Sequence, residues 1–270
     1  MVARRTPSTF RALRHRNYRL FFFGQMISLI GTWMQTIAQQ WLVYRLTDSA
    51  MMLGMVNLVT VLPLVPLALW GGSLADRFSR RTIIVLTQSV MMVQAFILAA
   101  LTRMGVVQVW HVMVLAAVLG AANAVDVPAR QAFVVEMISG KEDLTNALGL
   151  NSTIFNAARA IGPAVAGVAV ATTGEEGAFF INGVSFLAVI AGLLMMHLPT
   201  TPRPLRQIRL GAHLEEATRY VRSHQVVMVL ISLVAVSAFL SMPYSTLLPV
   251  FAESVLNESA RHFDPDHCAR

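Results

Sequence analysis

Gly72-Ser-Leu-Ala-Asp76-Arg77-Phe-Ser-Arg80-Arg81 is a charged ten-residue stretch set between two long apolar runs, Met51 to Ala75 and Thr82 to Leu101. Three arginines cannot lie in the hydrocarbon of a bilayer, because each would cost several kcal/mol there. A compact, glycine-led turn in that setting belongs at a membrane surface, with a spanning helix on either side.

Composition agrees with this reading. Of 270 residues, 56% are hydrophobic and 13% charged, about half the charge of an ordinary soluble domain. Mean hydropathy is +0.61. The net charge of +7 would suit nucleic acid, but the basic residues cluster beside apolar runs, which is the pattern of topogenic charge and not of a binding stripe. Nucleic acid is therefore excluded as a partner. The single cysteine, Cys268, leaves no disulfide framework and no cysteine-based metal site within one chain. The first apolar run is too long for a cleavable signal peptide and lacks a small-residue cleavage site.

A helix needs about 20 apolar residues to cross a bilayer. Seven stretches qualify: Leu20–Tyr44, Met51–Ala75, Thr82–Leu101, Val107–Val127, Ala147–Thr172, Ala178–Leu198 and Val226–Phe251. The connections between them alternate. The N-terminal arm, Asp76–Arg81 and Pro199–Gln225 are rich in arginine, and Pro128–Asn146 carries Arg130 and Lys141; Arg45–Ala50, Thr102–Gly105 and Gly174–Gly177 are short and hold one arginine at most. The positive-inside rule places the first set, and the N-terminus, in the cytoplasm. The expected architecture is all-α and polytopic, a six-helix bundle over residues 1–198 followed by further elements. Residues 199–225 form a cytoplasmic linker whose Leu210–Val221 part has the apolar spacing of an amphipathic surface helix. Residues 226–251 form a seventh transmembrane helix. The polar tail 252–270 reads as the product of a truncation or an altered reading frame.

Four stretches carry a family resemblance: Phe10-Arg-Ala-Leu-Arg-His-Arg-Asn-Tyr-Arg-Leu20 entering the first helix, the Gly72–Arg81 loop, Asn123-Ala-Val-Asp126-Val-Pro-Ala-Arg130-Gln-Ala132, and Asn156-Ala-Ala-Arg159-Ala-Ile-Gly162-Pro163-Ala-Val-Ala166-Gly167. Together they resemble the major facilitator superfamily, in particular its bacterial branch of drug and siderophore exporters similar to the enterobactin exporter. The resemblance runs from about Phe10 to Phe251. It implies two inverted three-helix repeats, a bacterial inner-membrane location, and the first helix of a second bundle at residues 226–251.

By the same resemblance, Gly72, Asp76, Arg77, Arg80 and Arg81 belong to a conformational latch between two transporter halves. Arg130 emerges on the same membrane face as Asp76, within reach of a bidentate carboxylate pair. The Gly162, Pro163 and Gly167 run resembles the bend of drug/proton exchangers, with Ala166 where that pattern has glycine. Small residues there allow close helix packing, and proline removes one backbone hydrogen bond.

Helix one carries Gln25, Thr32, Gln35, Thr36, Gln39 and Gln40 at helical spacing. Such a stripe faces the bundle interior, since unsatisfied amides in lipid are costly. With Asn57, Asn123, Asp126, Asn151, Asn156 and Arg159 it forms a candidate substrate cavity, or else a set of interhelical hydrogen bonds. Arg159 lies roughly 18 Å into its helix at ~1.5 Å per residue, near the bilayer centre. It either meets an anionic substrate group or Asp126, or locks helices four and five together. The 15 methionines suit lipid-facing and packing positions better than a drug-binding surface.

No nucleophile–base set, phosphate loop or metal-spaced cluster appears, so the chain reads as a non-enzyme with no cofactor, not driven by ATP. The expected function is secondary active transport, proton-coupled export of an amphipathic drug or siderophore. Its partners are the bilayer, a small-molecule substrate and protons, with self-pairing or a missing second half to complete the transporter. The alternative is a truncated, transport-inactive membrane protein or scaffold.

Overall fold

The computed structural model describes residues 10–64, 66–67, 79–138, 140–197 and 219–246. Its regular elements are a short 3-10 helix, Arg11–Arg14, and six α-helices: α1 Arg16–Thr47, α2 Ala50–Val61, α3 Arg80–Arg103, α4 Val109–Met137, α5 Lys141–Leu194 and α6 Gln225–Thr246. The chain divides into two compact units, Met1–Gln39 with Val59–Leu205, and Gln40–Leu58 with Arg206–Arg270.

Among the described residues four helices, α1, α3, α4 and α5, are long and apolar enough to cross a bilayer. At 54 residues α5 would be about 81 Å long if straight, far more than the ~30 Å hydrocarbon core. It breaks at Gly174, whose φ of 73° and ψ of 176° suit glycine and interrupt the helix. Side-chain contacts show that the chain reverses there. Tyr18 of α1 meets Ala147 and Asn151 on the limb 141–173, and Trp33 packs on Gly162 further along it. The limb 175–194 runs the opposite way, with Gln35 on Asn182, Gly24 on Ala188 and Leu20 on Gly192. The short Gly174–Gly177 connection read from the sequence is this reversal.

The first unit buries polar side chains and exposes large apolar ones to an extent foreign to a soluble domain. Gln25, Ser28, Gln35, Gln88, Gln94, Asp126, Asn182 and Ser185 are buried, while Leu86, Val93, Ile97, Val114, Val118, Phe180, Val184 and Leu187 are exposed. A surface of bulky apolar side chains around a core that holds polar groups as well as apolar ones is what lipid as a solvent selects, since polar groups there must find partners inside the bundle. The protein is therefore an all-α, polytopic membrane protein. Close packing relies on small residues, as expected where lipid supplies no hydrophobic drive between helices. A Cβ on Gly120 would collide with the Thr60 carbonyl, and one on Gly162 with Trp33. The core at the end where α1 begins joins Tyr18, Phe21, Ile84, Phe133, Ala147, Leu150 and Leu193, with Phe21 and Phe133 in edge contact at 6.1 Å.

One sequence boundary is corrected. The helix expected to end at Val127 continues through Pro128 to Met137, and the next begins at Lys141 and not at Ala147. Proline within a buried membrane helix does not end it, and Phe133, Val134 and Met137 beyond it are buried in the core. Glu142 and Asp143 open α5 where the positive end of the helix dipole favours them. What read as a 19-residue connection is therefore mostly helix. The opposite hairpin matches expectation: α3 ends at Arg103, capped by Met104 with Gly105 at φ 70°, and α4 opens with a Gln108–His111 capping box.

The second unit contains the end of α1, a turn at Asp48 with φ 48°, the start of α2, and α6. α6 begins beside Val226, where the seventh span is expected to start, and Val226, Leu230, Leu233, Val234 and Val236 are exposed along it. Residues 219–223 are helical, while the rest of the amphipathic stretch and the tail beyond 246 lie outside the described residues.

Candidate functional site

Among the described residues Asp126 is the fully buried carboxylate, at 0% exposure. The extension of α4 past Pro128 sets Arg130 one turn beyond it, and the two form an ion pair at 2.5 Å between Nε and Oδ2. That approach is an ion pair without a well-directed N–H. The directed bonds come from α3: Thr87 Oγ1 donates to Oδ1 at 2.6 Å, and Gln88 Nε2 donates to both oxygens at 3.2 and 3.3 Å. A buried carboxylate is tolerable only with such partners. The set fastens α3 to α4. Arg159, one of whose open readings was to meet this carboxylate, is instead exposed, with its guanidinium 6.0 Å over the Trp33 ring. Reach decides this: Arg130 sits i+4 on the same helix and needs no long descent.

Beside this pair lies a cavity of about 640 Å³ between α1, α4 and the limb 141–173. Phe21, Leu29, Val127, Leu148, Ile154 and Phe155 supply its apolar wall; Gln25, Arg130, Gln131, Asn151, Ser152 and Asn156 supply its polar part. Of the residues expected to form a cavity, the structure thus brings Gln25, Asn151 and Asn156 together with Arg130, which was expected at the latch. Gln25 is 3% exposed, and neither its Oε1 nor its Nε2 has a hydrogen-bond partner among the described residues. Leaving such a group unsatisfied costs about 1–3 kcal/mol. The terminal nitrogens of Arg130 likewise make no hydrogen bond among the described residues.

Gln35 is placed differently. Its Nε2 donates to Gln94 Oε1 at 3.1 Å, and its Oε1 accepts from Asn182 Nδ2 at 2.6 Å. Ser185 Oγ in turn donates to Asn182 Oδ1 at 3.1 Å. This chain of amides ties α1, α3 and the limb 175–194 into one body. Gln39 and Asn123 are half-buried, Asn123 donating to Leu119 O at 3.1 Å, and Asn57 is exposed in the second unit.

Gly72, Asp76 and Arg77 of the expected latch lie outside the described residues. Arg80 pairs with Glu136 at 2.9 Å and donates to the Ala132 carbonyl at 2.7 Å. Arg81 donates to the carbonyls of Leu194 and Met196, at 2.8 and 3.3 Å, closing the C-terminal end of α5. Around Pro163 the limb stays helical; Gly162 sits against Trp33, and Gly167 has no neighbour within 4 Å. At the same end of the bundle the 3-10 helix is clamped to α5. Asp143 faces Arg11 Nε at 2.7 Å, His15 Nε2 at 3.0 Å and Arg14 at 3.2 Å, and Ala12 N–H donates to Asn146 Oδ1 at 2.9 Å. The His15 hydrogen bond, with help from Arg14 and Arg11 and against the cost of burial, holds the Asp143 carboxyl below its ordinary range.

Thr87, Gln88, Gln94, Asn182 and Ser185 were not singled out from the sequence. Their signal was there: polar residues inside the apolar runs Thr82–Leu101 and Ala178–Leu198, which in lipid must find partners. Among the described residues no group of three His, Cys, Asp or Glu could hold a metal ion.

Comparison with known proteins adds a family. A family model described as a transmembrane secretion effector matches residues 7–264. The staphyloferrin A transporter of Staphylococcus aureus is 27% identical over 241 residues, covering 88% of this chain and 59% of that protein. Macrolide efflux protein A of Streptococcus pyogenes is 22% identical over 258 residues, covering 92% and 63%. Multidrug efflux pump Tap of Mycobacterium bovis is 27% identical over 241 residues, covering 86% and 57%. The chain thus spans less than two thirds of the length of each of these relatives. No solved structure gives a significant match.

Proposed function

The chain belongs to the transmembrane secretion effector family of the major facilitator superfamily, and from that premise we propose that it is a secondary active transporter exporting an amphipathic small molecule in exchange for protons. The observation that carries this reading is the cavity of about 640 Å³ whose polar wall includes the unsatisfied Gln25 and Arg130 beside the buried Asp126. Its size and mixed lining suit a drug-sized molecule with one polar end.

The parts have distinct roles in this account. The Gln35–Gln94–Asn182 chain and the Asp126 cluster make the first unit rigid, as a rocking half must be. The cavity binds the substrate. Arg130, held through its Nε at Asp126, lines that cavity with the rest of its guanidinium. Gly72, Asp76 and Arg77, with Arg80 and Arg81, serve as the latch, and Gly162, Pro163 and Gly167 as the flexible segment. Arg11, Arg14, Arg16, Arg80, Arg81 and Arg130 gather at the end of the bundle where α1 begins, which supports a cytoplasmic N-terminus. The relatives named for staphyloferrin A, macrolide and multidrug transport support export of an organic molecule, and no covalent chemistry is required of the chain.

The test is accumulation by everted vesicles of a panel of anionic, neutral and cationic fluorescent amphipaths under a proton gradient. At least one should accumulate, and a protonophore should abolish the signal. Accumulation no greater than in vesicles without the protein overturns the proposal.

A further inference from the structure

We infer that the cavity selects organic anions, taking a carboxylate against the Arg130 guanidinium while a neighbouring hydroxyl or amide on the same molecule meets Gln25. The inference rests on the reading of the cavity as a substrate site and adds a substrate class to it.

Three observations lead there. First, Arg130 is the one ionised side chain among the described lining residues, and Asp126, the nearest carboxylate, is occupied by Thr87, Gln88 and Arg130 Nε. A cation entering the cavity meets like charge in a low-dielectric setting and finds no counter-ion, whereas an anion finds one. Second, the Nε of Arg130 is turned to Asp126, leaving the terminal nitrogens, the pair that grips a carboxylate in parallel hydrogen bonds. Third, Gln25 is buried with both amide atoms unpartnered, and it lines the same cavity. An amide missing both a donor and an acceptor is matched by a group that offers both, a hydroxyl or an amide, better than by a bare hydrocarbon. Phe21, Leu29 and Phe155 accept the apolar body.

Three dansyl probes separate the possibilities with one fluorophore. Dansylglycine has a carboxylate next to a sulfonamide N–H, dansylglycinamide is its neutral amide, and N-dansylethylenediamine is a cation of similar length. Each is titrated into the full chain in nanodiscs of zwitterionic lipid. Dansylglycine should bind about tenfold more tightly than the neutral probe, a difference of about 1.4 kcal/mol, and the cation most weakly. Gln25→Leu should weaken dansylglycine about fivefold, the share of one buried hydrogen bond, with melting temperature retained. Arg130→Gln should erase the ranking, and because that change leaves Asp126 without its ion pair, Gln25→Glu provides a second reading, in which the new carboxylate offsets the Arg130 charge and the preference for the anion is lost.

Equal affinity for the three probes, or tighter binding of the cation, overturns anion selection; if those affinities still fall in Gln25→Leu, the cavity stands as a binding site. Probe affinities that are indifferent to Gln25→Leu, Gln25→Glu and Arg130→Gln, or no binding at all, overturn the cavity reading as well. Loss of dansylglycine binding in nanodiscs containing phosphatidylglycerol assigns the anion to a lipid headgroup and overturns a soluble substrate.

Discussion

Gln25 and Gln35 are the same residue type on the same helix, ten residues apart, and almost equally buried at 3% and 2% exposure. Gln35 has both ends of its amide engaged, by Gln94 and Asn182. Gln25 has neither, and it faces a cavity. Burial alone thus fails to separate a structural amide from a binding one in a membrane bundle. Whether the amide's hydrogen bonds are satisfied within the bundle does separate them, because lipid supplies no water to make up the difference.

The difference is broken most severely at Gln35. Replacing it with leucine leaves Gln94 and Asn182 facing an apolar group, at a cost of about 1–3 kcal/mol. The purified protein should melt several degrees lower, by a thermal unfolding scan in detergent, and any transport should fall in step with folded protein. Gln25→Leu is predicted to do the opposite: it removes an unsatisfied group, so the melting temperature should hold or rise while probe binding falls. A Gln25 variant that loses stability as Gln35 does would remove the basis for treating the two sites differently.

A sharper version concerns Gly162, whose missing side chain lets Trp33 pack against the limb 141–173. Gly162→Leu should destabilise the bundle by about 1–3 kcal/mol, the usual range for overpacking. Gly167→Leu, in open space, should change unfolding little. Comparing the two melting curves shows which glycine of the segment matters to packing.

Smaller still is the effect of acid on the clamp at Asp143. Its carboxyl is held low in the folded state, so the stability it contributes is fully present above the ordinary carboxylate value near 3.8 and is lost as pH falls through the lowered folded value. Hydrogen exchange at the backbone N–H of Ala12 should stay protected from pH 7 down to about pH 4, and Asp143→Asn should expose it across that range. Equal protection in the two proteins at neutral pH would show that the Asn146 bond alone holds the 3-10 helix.

Much of the fold was legible in the sequence for one physical reason. A bilayer imposes a length and an apolarity on every spanning helix, so the runs that became α1, α3 and α4 and the reversal at Gly174 are written as composition. The end of α4 was not legible, because Pro128 and Arg130 look like a stop and only the tertiary burial of Phe133 and Met137 carries the helix on. Within the site, the polar stripe of α1 could be read, but not the division of labour along it. That depended on Gln94 and Asn182, which arrive from α3 and from beyond the reversal, and no local pattern pairs them with Gln35. Arg159 stood out by its depth, yet the salt bridge to Asp126 belongs to the closer Arg130.

The most direct test of the account is dansylglycine binding to the full chain and its Gln25→Leu and Gln35→Leu variants, with melting temperature measured on the same samples. The account predicts that Gln25→Leu weakens binding about fivefold with its melting temperature unchanged or higher, and that Gln35→Leu lowers the melting temperature while the folded fraction binds normally. Normal binding by Gln25→Leu, or a loss of binding confined to Gln35→Leu, would contradict it.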